Sequence, residues 1–161
     1  LRTKVLARIA AFAMTLERVQ KIAFRTVSQT GIDYRKSALS ESQAGLPDGA
    51  PHAGDRFPWL RVRLRPNGPV EDLFEKLGDT QFNLIVFGQP FPLEGEPGIG
   101  DLLRVHVLPS DPVNDAELAR AQIPQQSFYL VRPDGHVGLC GTHLDPAAVK
   151  KYVSRNLHLT V

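Results

Sequence analysis

At 161 residues, 42% apolar and 22% charged, the chain has room for one domain with a proper core plus an appendage, and its composition is not that of a disordered segment. A net charge of +2 is too small to point to nucleic acid, and there is no basic stripe with interleaved aromatics. The single cysteine, Cys140, excludes an intrachain disulfide and a C-x-x-C redox pair, and no run approaches the ~18 apolar residues of a membrane span. A lone thiol fits a reducing compartment, so a cytoplasmic protein is expected.

Val5, Ile9, Phe12, Leu16, Val19, Ala23 and Val27 recur at spacings of three and four. That is one apolar stripe along a helix, or along two shorter ones, with Gly31 placed to end it. Arg2, Lys4 and Arg8 ahead of Ala11-Phe12-Ala13 mimic a signal peptide. The amphipathic pattern continues past Glu17 and Arg18, so the helical reading is preferred. The chain does not open with Met, which reads as a fragment or a processed product. Residues 41–53 lack periodicity and are rich in Gly and Pro, the composition of a linker.

Leu60, Val62 and Leu64 alternate with Arg61, Arg63 and Arg65, a period of two that predicts an edge strand with its arginines in solvent. A short helix is expected over Val70 to Leu77, closed by Gly78. Phe82 to Gly88 is a continuous apolar run and reads as a central strand. Leu103 to Leu108 is a further strand, and Asp115 to Gln122 a short helix. Ser127 to Arg132, Pro133-Asp134-Gly135 and His136 to Cys140 read as a β-hairpin, because proline presets φ and Asp-Gly tolerates the positive φ of a tight turn. Asp145 is placed to cap a last amphipathic helix over Ala147 to Leu157. Strand, helix, strand, helix, strand, hairpin, helix predicts an α/β protein with a sheet of four or five strands and helices on both faces.

The order of a proline (Pro124), a strand, an Asp-Gly turn, a strand and a final helix resembles the second half of a thioredoxin-like domain, in which a cis-proline precedes the hairpin. Four stretches in order, TGIDYRKSAL, AGDRFP, the FNLIVFG strand and LVRPDGHVG, resemble the C-terminal region of FAD-dependent aromatic-ring hydroxylases of the phenol hydroxylase and dichlorophenol monooxygenase type. The resemblance implies that residues 1–40 are the end of a flavin domain and residues 54–161 a thioredoxin-like domain. It implies a parent oxidoreductase that inserts one oxygen atom of O2 into a phenolic ring, using FAD and NAD(P)H through a flavin hydroperoxide. It also implies that the catalytic apparatus lies upstream, that this chain holds no cofactor, and that its role is packing and association into a homo-oligomer, a dimer being expected. Self-association is expected through the stripe at Phe12, Leu16 and Val19. After the Pro-Asp-Gly turn many relatives continue with a Trp-Arg pair, whereas Gly138-Leu139-Cys140 stands here, which leaves subfamily and substrate open.

The residues themselves offer little chemistry. Where a redox-active thioredoxin carries C-x-x-C, this chain has Gly88-Gln89-Pro90-Phe91. His136 lies four residues before Cys140, on one face of a strand by period two, so a Cys-His pair and a peroxiredoxin-like thiol enzyme form one rival reading. Cysteine more often packs as a small apolar group. His136, Cys140 and His143 do not match zinc spacing, so no metal site is expected. His52, His106 and His158 are scattered. Asp55 and Arg56 are expected to form an ion pair that pins the start of the domain. Gly95, Gly98 and Gly100 fall short of a dinucleotide fingerprint and read as a loop. A third reading is a stand-alone thioredoxin-fold binding module that pairs through Leu60 to Leu64.

Overall fold

The computed structural model describes residues 35–91 and 102–158, which belong to one compact unit. The apolar stripe with Phe12, Leu16 and Val19, its expected end at Gly31, and the glycine run at 95–100 lie outside the described residues. In chain order the elements are β1 (Glu41–Ser42), β2 (Arg61–Arg63), β3 (Val70–Asp72), a 3-10 turn (Phe74–Lys76), β4 (Phe82–Phe87), β5 (Leu103–Leu108), α1 (Pro112–Arg120), β6 (Ser127–Val131), β7 (Val137–Gly141) and α2 (Pro146–His158). The fold is mixed α/β.

The main sheet has the order β1-β7-β6-β4-β5. β4 runs parallel to β5 and antiparallel to β6, β6 is antiparallel to β7, and β1 is parallel to β7. The apolar runs of β4 and β6 sit inside the sheet because each must be covered twice. Ile85, Phe87, Tyr129 and Val131 join one core layer; Leu84, Val86, Phe128 and Leu130 join the other. Leu118 of α1 packs in the first layer, while Val149, Tyr152 and Val153 of α2 pack in the second. The two helices therefore cover opposite faces. Truncating a side chain such as Leu130, with no exposed surface, to Ala would cost about 2–5 kcal/mol.

Four local expectations change. Leu60 to Leu64 does not edge the main sheet: β2 pairs antiparallel with β3 in a separate ribbon. Val70 to Leu77 forms no α-helix, because Val70–Asp72 is taken up in that pairing, and only the 3-10 turn follows. α1 begins at Pro112, three residues before Asp115, because Asp111 is the cap. The Asp111 carboxylate accepts from Val113 N at 2.8 Å, and Pro112 needs no partner at the first helical position. The segment 41–53, a linker by composition, begins on the sheet: Ser42 of β1 pairs with Cys140, and Gln43 N donates to Cys140 O at 2.8 Å. Here backbone pairing decides the conformation, which composition does not register.

In the hairpin, Gly135 has φ of 83°, and its N–H donates to Arg132 O at 2.9 Å. Asp134 accepts from His136 N at 3.0 Å and pairs with Arg132. Beyond the turn the register slips: Val131 pairs with Val137 but Leu130 with Leu139, so Gly138 is an extra residue, a β-bulge. A side chain there would overlap the Tyr152 ring and hydroxyl, so the bulge is compatible only with glycine at this packing. Tyr152 reaches past it to donate to Leu39 O at 2.5 Å. Asp145 caps α2, its Oδ1 accepting from Ala147 N at 2.9 Å.

Candidate functional site

Open α/β sheets gather ligands at the carboxyl ends of their parallel strands. In this chain β4 and β5 end there on a cleft of about 300 Å³, between the start of α1 and the loop after Pro124. Phe87, Leu108 and Leu118 give it an apolar floor, and Ser110, Asp115 and Gln125 a polar rim. Gly88 has φ of 62°, and a Cβ on it would collide with Gln125 O, so the backbones on the two sides of the cleft touch. The next residue, Gln89, is tied to the β7–α2 connection: its Oε1 accepts from Leu144 N at 3.0 Å and its Nε2 donates to Thr142 O at 3.4 Å. The Ile123–Pro124 peptide is trans, since no peptide among the described residues is cis. The expected cis-proline is absent at this position. Ser127, after the proline, donates through its hydroxyl to Pro124 O at 2.7 Å.

Cys140 lies elsewhere, in the sheet under β1. It has no exposed surface, and its Sγ is 3.5 Å from Ser42 Oγ. Burial pushes its pKa above the ordinary thiol value, and the Ser42 hydroxyl offsets only part of that. Such a thiol holds its proton and is closed to peroxide or alkylating reagents. The shared face expected for His136 and Cys140 is removed by the bulge. Val137 and Cys140, an odd number of residues apart, both belong to the first core layer, so a spacing of four no longer means one face. His136 instead sits in the turn, its Nδ1 3.4 Å from Asp134 Oδ1. His143 is exposed, and among the described residues no group of His, Cys, Asp and Glu is arranged to hold a metal.

Over Ser42 opens a polar cleft of about 420 Å³ lined by Arg35, Ser40, Ser42, Asp48 and His52. Asp55 pairs with Arg35, not with its neighbour Arg56. Arg35 Nε and Nη2 donate to the two carboxylate oxygens, each at 2.7 Å. Arg56 is drawn instead into a backbone bridge with His136. Burial raises the Asp55 pKa, but the Arg35 guanidinium and the His52 amide, at 2.9 Å, outweigh it and leave the carboxyl below its ordinary value. His52 Nε2 donates to Pro47 O at 3.1 Å. Arg35, the guanidinium of this cleft, is engaged by both carboxylate oxygens of Asp55, which makes it part of a clasp rather than an anion site.

The pairing surface proposed at Leu60 to Leu64 is closed on both sides. β3 occupies one edge of β2. On the other, Arg61 N donates to Glu117 Oε1 at 2.9 Å and Arg63 N to Asn114 Oδ1 at 2.7 Å. Arg63 itself pairs with Asp111 at 3.0 Å, so one of the three arginines serves the fold. Sequence reasoning missed Arg35, Asp111 and Asn114. Only Asp111 had a local signal, an Asp-Pro pair ahead of an amphipathic run. Compared with known proteins, the sequence matches no protein-family model, and no curated protein matches it.

Proposed function

We propose that this chain is the non-catalytic C-terminal region of a FAD-dependent aromatic hydroxylase of the phenol hydroxylase type. Its thioredoxin-like domain would be kept as a scaffold for packing and subunit association. The observation that carries the reading is the strand arrangement β7-β6-β4-β5, with β4, β5 and β7 running one way, β6 alone antiparallel to them, and helices on opposite faces. That is the order of strands in a thioredoxin-like sheet. The position after β4, which holds the reactive sulfur in a redox thioredoxin, is here glycine and a glutamine engaged in backbone hydrogen bonds. The trans Ile123–Pro124 peptide is a departure from that pattern. The buried, proton-holding Cys140 weighs against a peroxiredoxin-like enzyme.

In this reading the oxygen-inserting chemistry, the FAD and the NAD(P)H belong to upstream parts of a parent chain, and Phe12, Leu16 and Val19 contribute to assembly. Mixing the purified chain with FAD and then removing free flavin is the direct test. No flavin absorbance should remain with the protein; retention of one flavin per chain would overturn the assignment.

A further inference from the structure

β5 ends the main sheet, and among the described residues its outer edge pairs with nothing. Soluble proteins blunt such edges with proline, a bulge, charged side chains or a very short strand. β5 runs six residues, Leu103–Leu108, with neither proline nor bulge, its charged Arg104 is turned aside to Lys76 O, and Val107 at 39% and Leu102 at 36% are among the few large apolar side chains in solvent. We infer that this edge pairs with the same edge of a second copy, antiparallel about a two-fold axis through Val105, joining two five-stranded sheets into one of ten.

The choice of partner rests on self-complementarity. A two-fold axis normal to the sheet keeps each face continuous, so residues of one face must meet residues of that same face. Leu103, Val105 and Val107 share a face, on which Leu103 and Val105 already pack against the second core layer. Centred on Val105, Leu103 meets Val107 of the second copy, Val105 meets Val105, and Val107 meets Leu103. The whole stripe is thus apolar against apolar. On the other face Arg104 meets His106, so no arginine opposes arginine and no carboxylate is buried. Arg104 is also held by Lys76 O at 3.1 Å, clear of the axis. Centring on His106 would set Leu103 against Pro109, which cannot donate to the new ladder.

The inference needs only that β5 ends the sheet, and it stands or falls apart from the flavoprotein reading. The experiment is light scattering on the full chain, with circular dichroism to verify folding. Wild type should be a dimer at micromolar concentration. Val105→Glu and Val105→Lys place like charges on the axis, so each alone should be monomeric, and an equimolar mixture of the two should dimerise. Only this register sets residue 105 against itself. Should either variant fail to fold, Val107→Lys at the exposed position should weaken the dimer roughly tenfold. A monomeric wild type, a mixture that does not assemble from folded variants, or Val107→Lys with wild-type affinity would overturn the inference. So would a dimer abolished by Leu16→Glu alone and indifferent to changes in β5.

Discussion

Replacing Asn114 by Ala should detach the β2–β3 ribbon from α1 at a cost far larger than the side chain's size suggests. Asn114 has 1% of its surface exposed. Its Oδ1 accepts from Arg63 N at 2.7 Å, and its Nδ2 donates to Arg63 O and to Pro109 O, each at 3.0 Å. Truncation leaves one N–H and two carbonyls short of a partner. Each buried polar group left unsatisfied costs about 1–3 kcal/mol, and some water entry lowers the sum, so a loss of about 2–4 kcal/mol is expected. Glu117 does the same kind of work for Arg61 N, but near solvent, where its removal should cost about 1 kcal/mol or less. Asn114→Asp keeps the acceptor but faces a carboxylate with Arg63 O and Pro109 O. It should be as damaging as Ala near neutral pH and should recover as the pH falls, when a protonated acid donates again. Urea unfolding followed by circular dichroism, read as a midpoint shift at unchanged slope, measures each variant. Equal losses for Asn114→Ala and Glu117→Ala, or an Asn114→Ala loss under about 0.5 kcal/mol, would refute the reasoning.

The remaining predictions are narrower. Tyr129 is fully buried, and its hydroxyl has no hydrogen-bond partner among the described residues, so Tyr129→Phe should stabilise the chain by about 1 kcal/mol in thermal melts; a loss of stability would show an unrecognised partner. Gly138→Ala should destabilise by about 2 kcal/mol through overlap with Tyr152. Combined with Tyr152→Ala, its further cost should nearly vanish, a non-additivity that a double-mutant cycle reads. Asp55→Asn should weaken the Arg35 clasp at neutral pH. Because the folded carboxyl titrates below its ordinary value of 3.8, the stabilisation is present above that pH and is lost as the pH falls through the lower folded value. The gap between wild type and variant should therefore close in strong acid, and a gap that persists there would assign the effect elsewhere. Cys140 should react with a thiol reagent at pH 8 at least on the order of a hundredfold more slowly in the native chain than in urea, the opposite of a catalytic thiol.

What could be read along the chain was whatever neighbours in sequence decide. The continuous apolar runs of β4 and β6 required cover on two faces, and Pro133-Asp134-Gly135 could only turn. Asp145 had its helix immediately behind it. Those signals are local because φ preferences and side-chain periodicity act over a few residues, and they were enough for the class of fold. The tertiary structure decided the rest, wherever the partner lies far along the chain. Val70–Asp72 became a strand because β2 was there to pair with it, and Arg35 took Asp55 across a gap of twenty residues. One inserted glycine, made necessary by a tyrosine on α2, turned His136 out of phase with Cys140 and removed the pair that spacing alone suggested. Period and propensity describe a strand in isolation, but the face a residue occupies depends on the register it keeps with its neighbours, and that is settled only when the layers pack.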